Sequence, residues 1–119
     1  LSTVALFFAF IASSFAQEAK SVNLTQTDGE FTIKELKLSE GDYVFHIENA
    51  GIDHNVGFVL IKEGADASKP ENHIKNAYVQ APVATGKTEA SKTVSLKAGN
   101  YVYFCPLNPT STDNLLIVQ

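Results

Sequence analysis

Residues 94–106 read Val94-Ser95-Leu96-Lys97-Ala98-Gly99-Asn100-Tyr101-Val102-Tyr103-Phe104-Cys105-Pro106. Two short runs, Thr93 to Leu96 and Tyr101 to Phe104, flank Ala98-Gly99-Asn100, whose glycine and asparagine supply turn chemistry. The same rhythm extends upstream. Tyr43, Phe45 and Ile47 share one face and Val44, His46 and Glu48 the other, because successive strand residues point to opposite sides. Val22 and Leu24 alternate with polar neighbours, as do Phe31 and Ile33, and Val56 to Ile61 and Leu115 to Val118 complete the set. Asp28-Gly29 and Glu40-Gly41-Asp42 provide further turns. Short runs of this kind, rich in β-branched and aromatic residues, predict an all-β fold: a two-sheet antiparallel Greek-key sandwich. One stretch breaks the rhythm. Residues 64–81 are polar and carry Ser68-x-x-Glu71, a capping box, with Pro70 in the first turn. They predict a short helical excursion over 69–76 joining the two halves.

The 119 residues allow one domain. Nine lysines, no arginine and thirteen acidic residues leave a net charge of -4, without the basic stripe that a nucleic-acid binder shows. Hydrophobic residues at 45% and charged residues at 18% belong to a folded domain rather than a disordered chain. A single cysteine excludes an internal disulfide and any CxxC metal or redox motif. At the N-terminal end, Val4 to Ala12 is an apolar run followed by small residues at Ser14 and Ala16. That pattern predicts a signal peptide over 1–16, cleaved before Gln17, and a folded domain over 17–119. The run is too short for a membrane span, which needs ~20 apolar residues. The expected location is therefore periplasmic or extracellular, with no membrane span after cleavage. There a lone thiol is buried, paired between chains, or held by a metal.

Two distant segments carry the residues with chemistry. One is Asn49-Ala50-Gly51-Ile52-Asp53-His54-Asn55-Val56-Gly57-Phe58, and the other runs from Gly99 to Pro109 around Cys105. His54 and Cys105 each stand at the end of a strand, and loops at one end of a sandwich can bring them together. An imidazole and a thiolate are the beginning of a copper or zinc site. Without metal, His54 would hydrogen-bond across the loops and Cys105 would be a small buried hydrophobe. Cys105, His54 and Asp53 also contain the residue types of a thiol hydrolase. The Cys-Pro loop suits a ligand better than an accessible nucleophile, so no enzyme activity is expected.

Together these segments resemble the cupredoxins, the blue copper proteins, and most of all their plastocyanin and pseudoazurin branch. The likeness starts at Leu38-Ser39-Glu40-Gly41-Asp42, passes through residues 49–58, and resumes over residues 94–106. It implies the sandwich fold, copper as cofactor, and His54 and Cys105 as metal ligands. It also implies that Asn108 occupies the position of the missing histidine, three residues after Cys105. The family's axial methionine has no counterpart, because the chain contains none. Asp53 stands where close relatives carry proline, and Asn55 matches the asparagine that ties the ligand loops together. A trigonal blue-copper centre takes two imidazoles and a thiolate. The degenerate set here predicts retention of Cu(I) over Cu(II), and restoration of a blue centre by Asn108→His with little rearrangement. His46 reads as a solvated surface residue, His73 lies in the polar excursion, and Thr112 and Asp113 fall near the axial position. The resemblance thus implies an exported copper-binding protein, a Cu(I) carrier or an unusual electron-transfer protein, with a redox or copper-exchange protein as partner. The alternative is a metal-free module of the same fold that binds a protein partner.

Overall fold

The alternating runs form eight strands in a computed structural model that describes residues 18–108 and 114–119. The apolar run at Val4 to Ala12, the cleavage position before Gln17, and Pro109, Thr112 and Asp113 lie outside the described residues. The strands are β1 (Lys20–Thr27), β2 (Glu30–Phe31), β3 (Glu35–Leu38), β4 (Gly41–Asn49), β5 (Val59–Lys62), β6 (Thr88–Leu96), β7 (Gly99–Phe104) and β8 (Asn114–Val118). They make two four-stranded sheets, ordered β2-β1-β4-β6 and β3-β8-β7-β5.

The two-sheet sandwich is as expected, but both sheets are mixed rather than purely antiparallel. After the β1–β2 hairpin the chain crosses to the opposite sheet for β3 and then returns. It re-enters beside β1 running in the same direction, so β4 pairs with β1 in parallel, from Lys20 opposite Tyr43 to Gln26 opposite Asn49. In the other sheet β3 pairs with β8 in parallel, and β7 runs antiparallel to both β8 and β5. These pairings bring the ends of β1, β4 and β7 to one end of the sandwich, where both candidate loops lie.

Period-two alternation fills the space between the sheets. Val22 and Leu24 from β1 and Tyr43, Phe45 and Ile47 from β4 face Leu60, Tyr103, Leu116 and Val118 from the other sheet. At the centre the Phe45 and Phe58 rings lie 5.1 Å apart, and Phe31 meets Tyr103 edge-on at 5.1 Å. The Tyr103 hydroxyl donates to the Ile33 carbonyl oxygen, and burial raises its pKa to about 12.

Four local expectations change. Ile33 does not join Phe31 in the core, because β2 ends at Phe31 and the Ile33 side chain is exposed. β5 starts at Val59, and Val56 instead makes an isolated bridge to Val83. The excursion is two short 3-10 turns, Pro70–Asn72 and Lys75–Ala77. Its capping box does not form. The N-cap is Lys69, and the Ser68 amide and hydroxyl both donate to Asp66 Oδ1, at 3.0 and 2.7 Å, closing a tight local turn. These bonds hold the Asp66 carboxyl below its ordinary pKa. Beyond the turns, the Gln80 amide donates to the Ala90 carbonyl and the Asn76 side chain to that of Thr93, covering the outer edge of β6.

Candidate metal centre

Buried polar side chains are costly unless hydrogen-bonded, so their placement marks where a fold has been specified for something besides packing. Among the described residues they are Gln26, Asn49, Ser91, Asn108 and Asn114. All but Ser91 lie at the end of the sandwich that carries Cys105. Gln26 follows Val22 and Leu24 in inward phase on β1, Asn49 follows Ile47 on β4, and Cys105 follows Tyr101 and Tyr103 on β7. Each strand therefore finishes its apolar face with a residue able to bond across the loops.

Asn49 shapes the first loop. Its Nδ2 donates to the His54 carbonyl at 2.9 Å and to that of Val83 at 3.1 Å, while its Oδ1 accepts the Ile52 amide at 2.9 Å. The return between them passes through Gly51 at φ 85°, a left-handed conformation that suits glycine. Ile52 is buried as a plug, which leaves Asp53, His54 and Asn55 exposed on the outer side of the loop. His54 Nδ1 donates to the Asn55 carbonyl oxygen at 2.9 Å, so the lone pair it offers is on Nε2. Asn55 is exposed, and the bonds that tie the loops run instead through Asn49, Gly57, Gln26 and Asn108.

Cys105 anchors the second loop. It is 1% exposed, and its sulfur accepts the Gly57 amide at 3.3 Å. The loops also touch at Pro106, whose ring carbons would lie 3.9 Å from a Cβ placed on Gly57. Asn108 is 2% exposed and turned inward. Its Nδ2 donates to the Thr27 carbonyl at 3.0 Å and to Gln26 Oε1 at 3.3 Å, and its Oδ1 accepts the Gly29 amide at 2.8 Å. Gln26 Nε2 in turn donates to the Gly57 carbonyl at 2.8 Å. Gln26 was not singled out from sequence. Its phase with Val22 and Leu24 is the signal that would have found it.

The remaining candidates are placed elsewhere or already engaged. His46 is half-buried on the face of β4 opposite Tyr43, Phe45 and Ile47. His73 uses both ring nitrogens: Nε2 donates to the Ala67 carbonyl at 2.8 Å, and Nδ1 accepts the Tyr78 hydroxyl at 2.6 Å. Its ring also meets Phe104 edge-on at 6.1 Å. Among the described residues, no group of three or more His, Cys, Asp and Glu side chains is arranged to hold a metal ion. Beside the Cys105 loop, residues 56–59, residues 78–82 and Pro106-Leu107 enclose an apolar groove of about 310 Å³, with Leu107 51% exposed on its rim. No helix among the described residues is long and apolar enough to cross a membrane.

The family model for copper binding proteins of the plastocyanin/azurin family matches residues 18–112. The chain is a cupredoxin. This cupredoxin is also similar in fold to auracyanin A, a "blue" copper protein from Chloroflexus aurantiacus, at 17% identity and a TM-score of 0.68 over 86% of this chain and 100% of that one. Auracyanin from Roseiflexus castenholzii matches at 14% identity and a TM-score of 0.65, over 87% of this chain and 99% of that one. Amicyanin from Paracoccus versutus matches at 16% identity and a TM-score of 0.55, over 91% and 88% of the two chains. No curated protein sequence matches this cupredoxin. Copper binding and electron transfer are thus its family's functions, generally without enzyme activity.

Proposed function

We propose that this cupredoxin is an exported protein that binds copper through Cys105 and His54 and holds Cu(I) more tightly than Cu(II). It would act as a Cu(I) carrier or an unusual electron-transfer protein, exchanging copper or electrons with a protein partner. One observation carries the reading: the Cys105 sulfur is buried and accepts an amide hydrogen, while the adjacent loop offers a single imidazole and Asn108 is turned inward. A thiolate or metal-bound sulfur accepts such a bond better than a thiol does. The available donors, one soft sulfur and the Nε2 lone pair of one imidazole, suit Cu(I) in low coordination. They fall short of the two imidazoles and a thiolate that a blue Cu(II) centre takes. Asn108 stands three residues after Cys105, the spacing at which the family carries its second histidine, and its amide is committed to the hairpin beneath. Export rests on the apolar run and small residues of 1–16, read as a signal peptide ahead of a domain over 17–119, with a periplasmic or extracellular destination.

Competition titrations against chelators specific for each oxidation state test this. The expected result is one equivalent of Cu(I) retained, Cys105 protected from thiol reagents, and Cu(II) lost to a weaker competitor. Equal or stronger retention of Cu(II) would overturn it.

A second reading is a metal-free module that binds a protein partner, and the apolar groove beside Leu107 favours it. Under that reading no copper is retained at equilibrium, and Cys105 titrates as a free thiol once the chain is unfolded.

A further inference from the structure

Gln26 is fully buried on a strand that bears none of the proposed ligands, yet it touches both loops that do. Its Nε2 donates to the Gly57 carbonyl at 2.8 Å, and its Oε1 accepts from Asn108 Nδ2 at 3.3 Å. The amide of the same Gly57 donates to the Cys105 sulfur at 3.3 Å. The Asn108 backbone amide donates to the Cys105 carbonyl, also at 3.3 Å. One side chain therefore grips the residue that approaches the sulfur from the first loop and the residue that closes the second. We propose that Gln26 is a positioning residue for Cys105: by fixing Gly57 and Asn108 together it holds the Gly57 N–H on the sulfur and keeps the two loops in register. The consequence for copper rests on the reading that Cys105 is a ligand. The consequence for the sulfur itself does not.

The geometry explains why a carboxamide is used. Gly57 presents a carbonyl oxygen and needs a donor, whereas Asn108 presents an N–H and needs an acceptor. A glutamine supplies both from one planar group. An apolar side chain of the same length would leave both partners unsatisfied inside the protein. Gly57 would then be free to turn, and with it the N–H aimed at Cys105.

Gln26→Met keeps the unbranched shape and removes both bonds. In the metal-free variant, the Gly57 amide proton should move in two-dimensional NMR while most other amides keep their wild-type positions. Alkylation of Cys105 by iodoacetamide in native buffer should accelerate about tenfold, the equivalent of one lost hydrogen bond. A folded Gln26→Met protein with an unmoved Gly57 amide and a wild-type alkylation rate would overturn the proposal, whatever its melting temperature. If Gln26→Met does not fold, Asn108→Ala carries the test, since it cuts the other arm of the same grip. It should also speed Cys105 alkylation, and a wild-type rate there would equally overturn the proposal. Cu(I) competition on the same variants separates the two levels of inference. A tenfold weaker Cu(I) complex joins Gln26 to the metal. Absence of Cu(I) binding in the wild type would remove the copper reading, and the two metal-free measurements would still decide the role of Gln26.

Discussion

Asn108 uses both amide hydrogens and its carbonyl oxygen on the β1–β2 hairpin, and that commitment changes what a substitution there should do. Asn108→Ala removes three bonds, one buried and two partly buried, and strands their partners, which should lower stability by roughly 3 kcal/mol in urea denaturation. Asn108→His, which the family resemblance makes an attractive repair, should behave much the same way. An imidazole cannot donate twice and accept once at the points where the carboxamide does. The variant should be destabilised and should hold Cu(II) no better than the wild type, with no intense thiolate-to-copper absorption in visible spectroscopy. An intense blue band would mean that the side chain swings out of the hairpin at little cost. His54 and Cys105 stood out as candidates by their chemistry; Cys105 directly follows β7, whereas His54 lies midway along the loop between β4 and β5, which the apolar run from Val56 concealed. The inward turn of Asn108 was not legible, because it depends on Gln26, Thr27 and Gly29, about eighty residues upstream.

Elements were legible where their signal is local. The alternation of Tyr43, Phe45 and Ile47 specifies a half-buried strand without reference to anything distant. The parallel pairing of β1 with β4 was not, since strand order depends on which sheet the chain visits between them. The irregularity in the β4–β6 ladder was equally hidden. Register shifts between Val44 and His46, and the Phe45 amide opposite the bulge donates to the Ser91 hydroxyl at 2.9 Å. Ser91 returns its own hydrogen to the Lys92 carbonyl at 2.7 Å. A bulge interrupts a ladder bond, and here a side-chain oxygen replaces it. Ser91→Ala should therefore cost about 1–3 kcal/mol by leaving a buried N–H without an acceptor. Amide hydrogen exchange should show Phe45 losing protection, while Tyr43 and Ile47, in regular positions on the same strand, keep theirs.

At the scale of the whole molecule, the aromatic centre makes stability depend on alkaline pH. Tyr103 ionises near 10.0 in the unfolded chain, and burial raises its pKa in the folded one to about 12. Between these values the unfolded state has given up the proton and the folded state has kept it. Stability from this group is thus complete below pH 10 and falls as pH rises towards 12. Thermal melts should show a declining midpoint across that window, and Tyr103→Phe should flatten the decline. The sandwich also carries a rule about time. β8, the last of the eight strands to be made, is inserted between β3 and β7 in the interior of its sheet, and it supplies Leu116 and Val118 to the core. Until Asn114–Val118 arrives, β3 has no neighbour and the second sheet cannot close. Native pairing must then wait for contacts of long sequence separation, which form slowly. A chain threaded through a narrow channel from its N-terminal end would accordingly remain unfolded until Asn114–Val118 had passed, and would snap shut only on the far side.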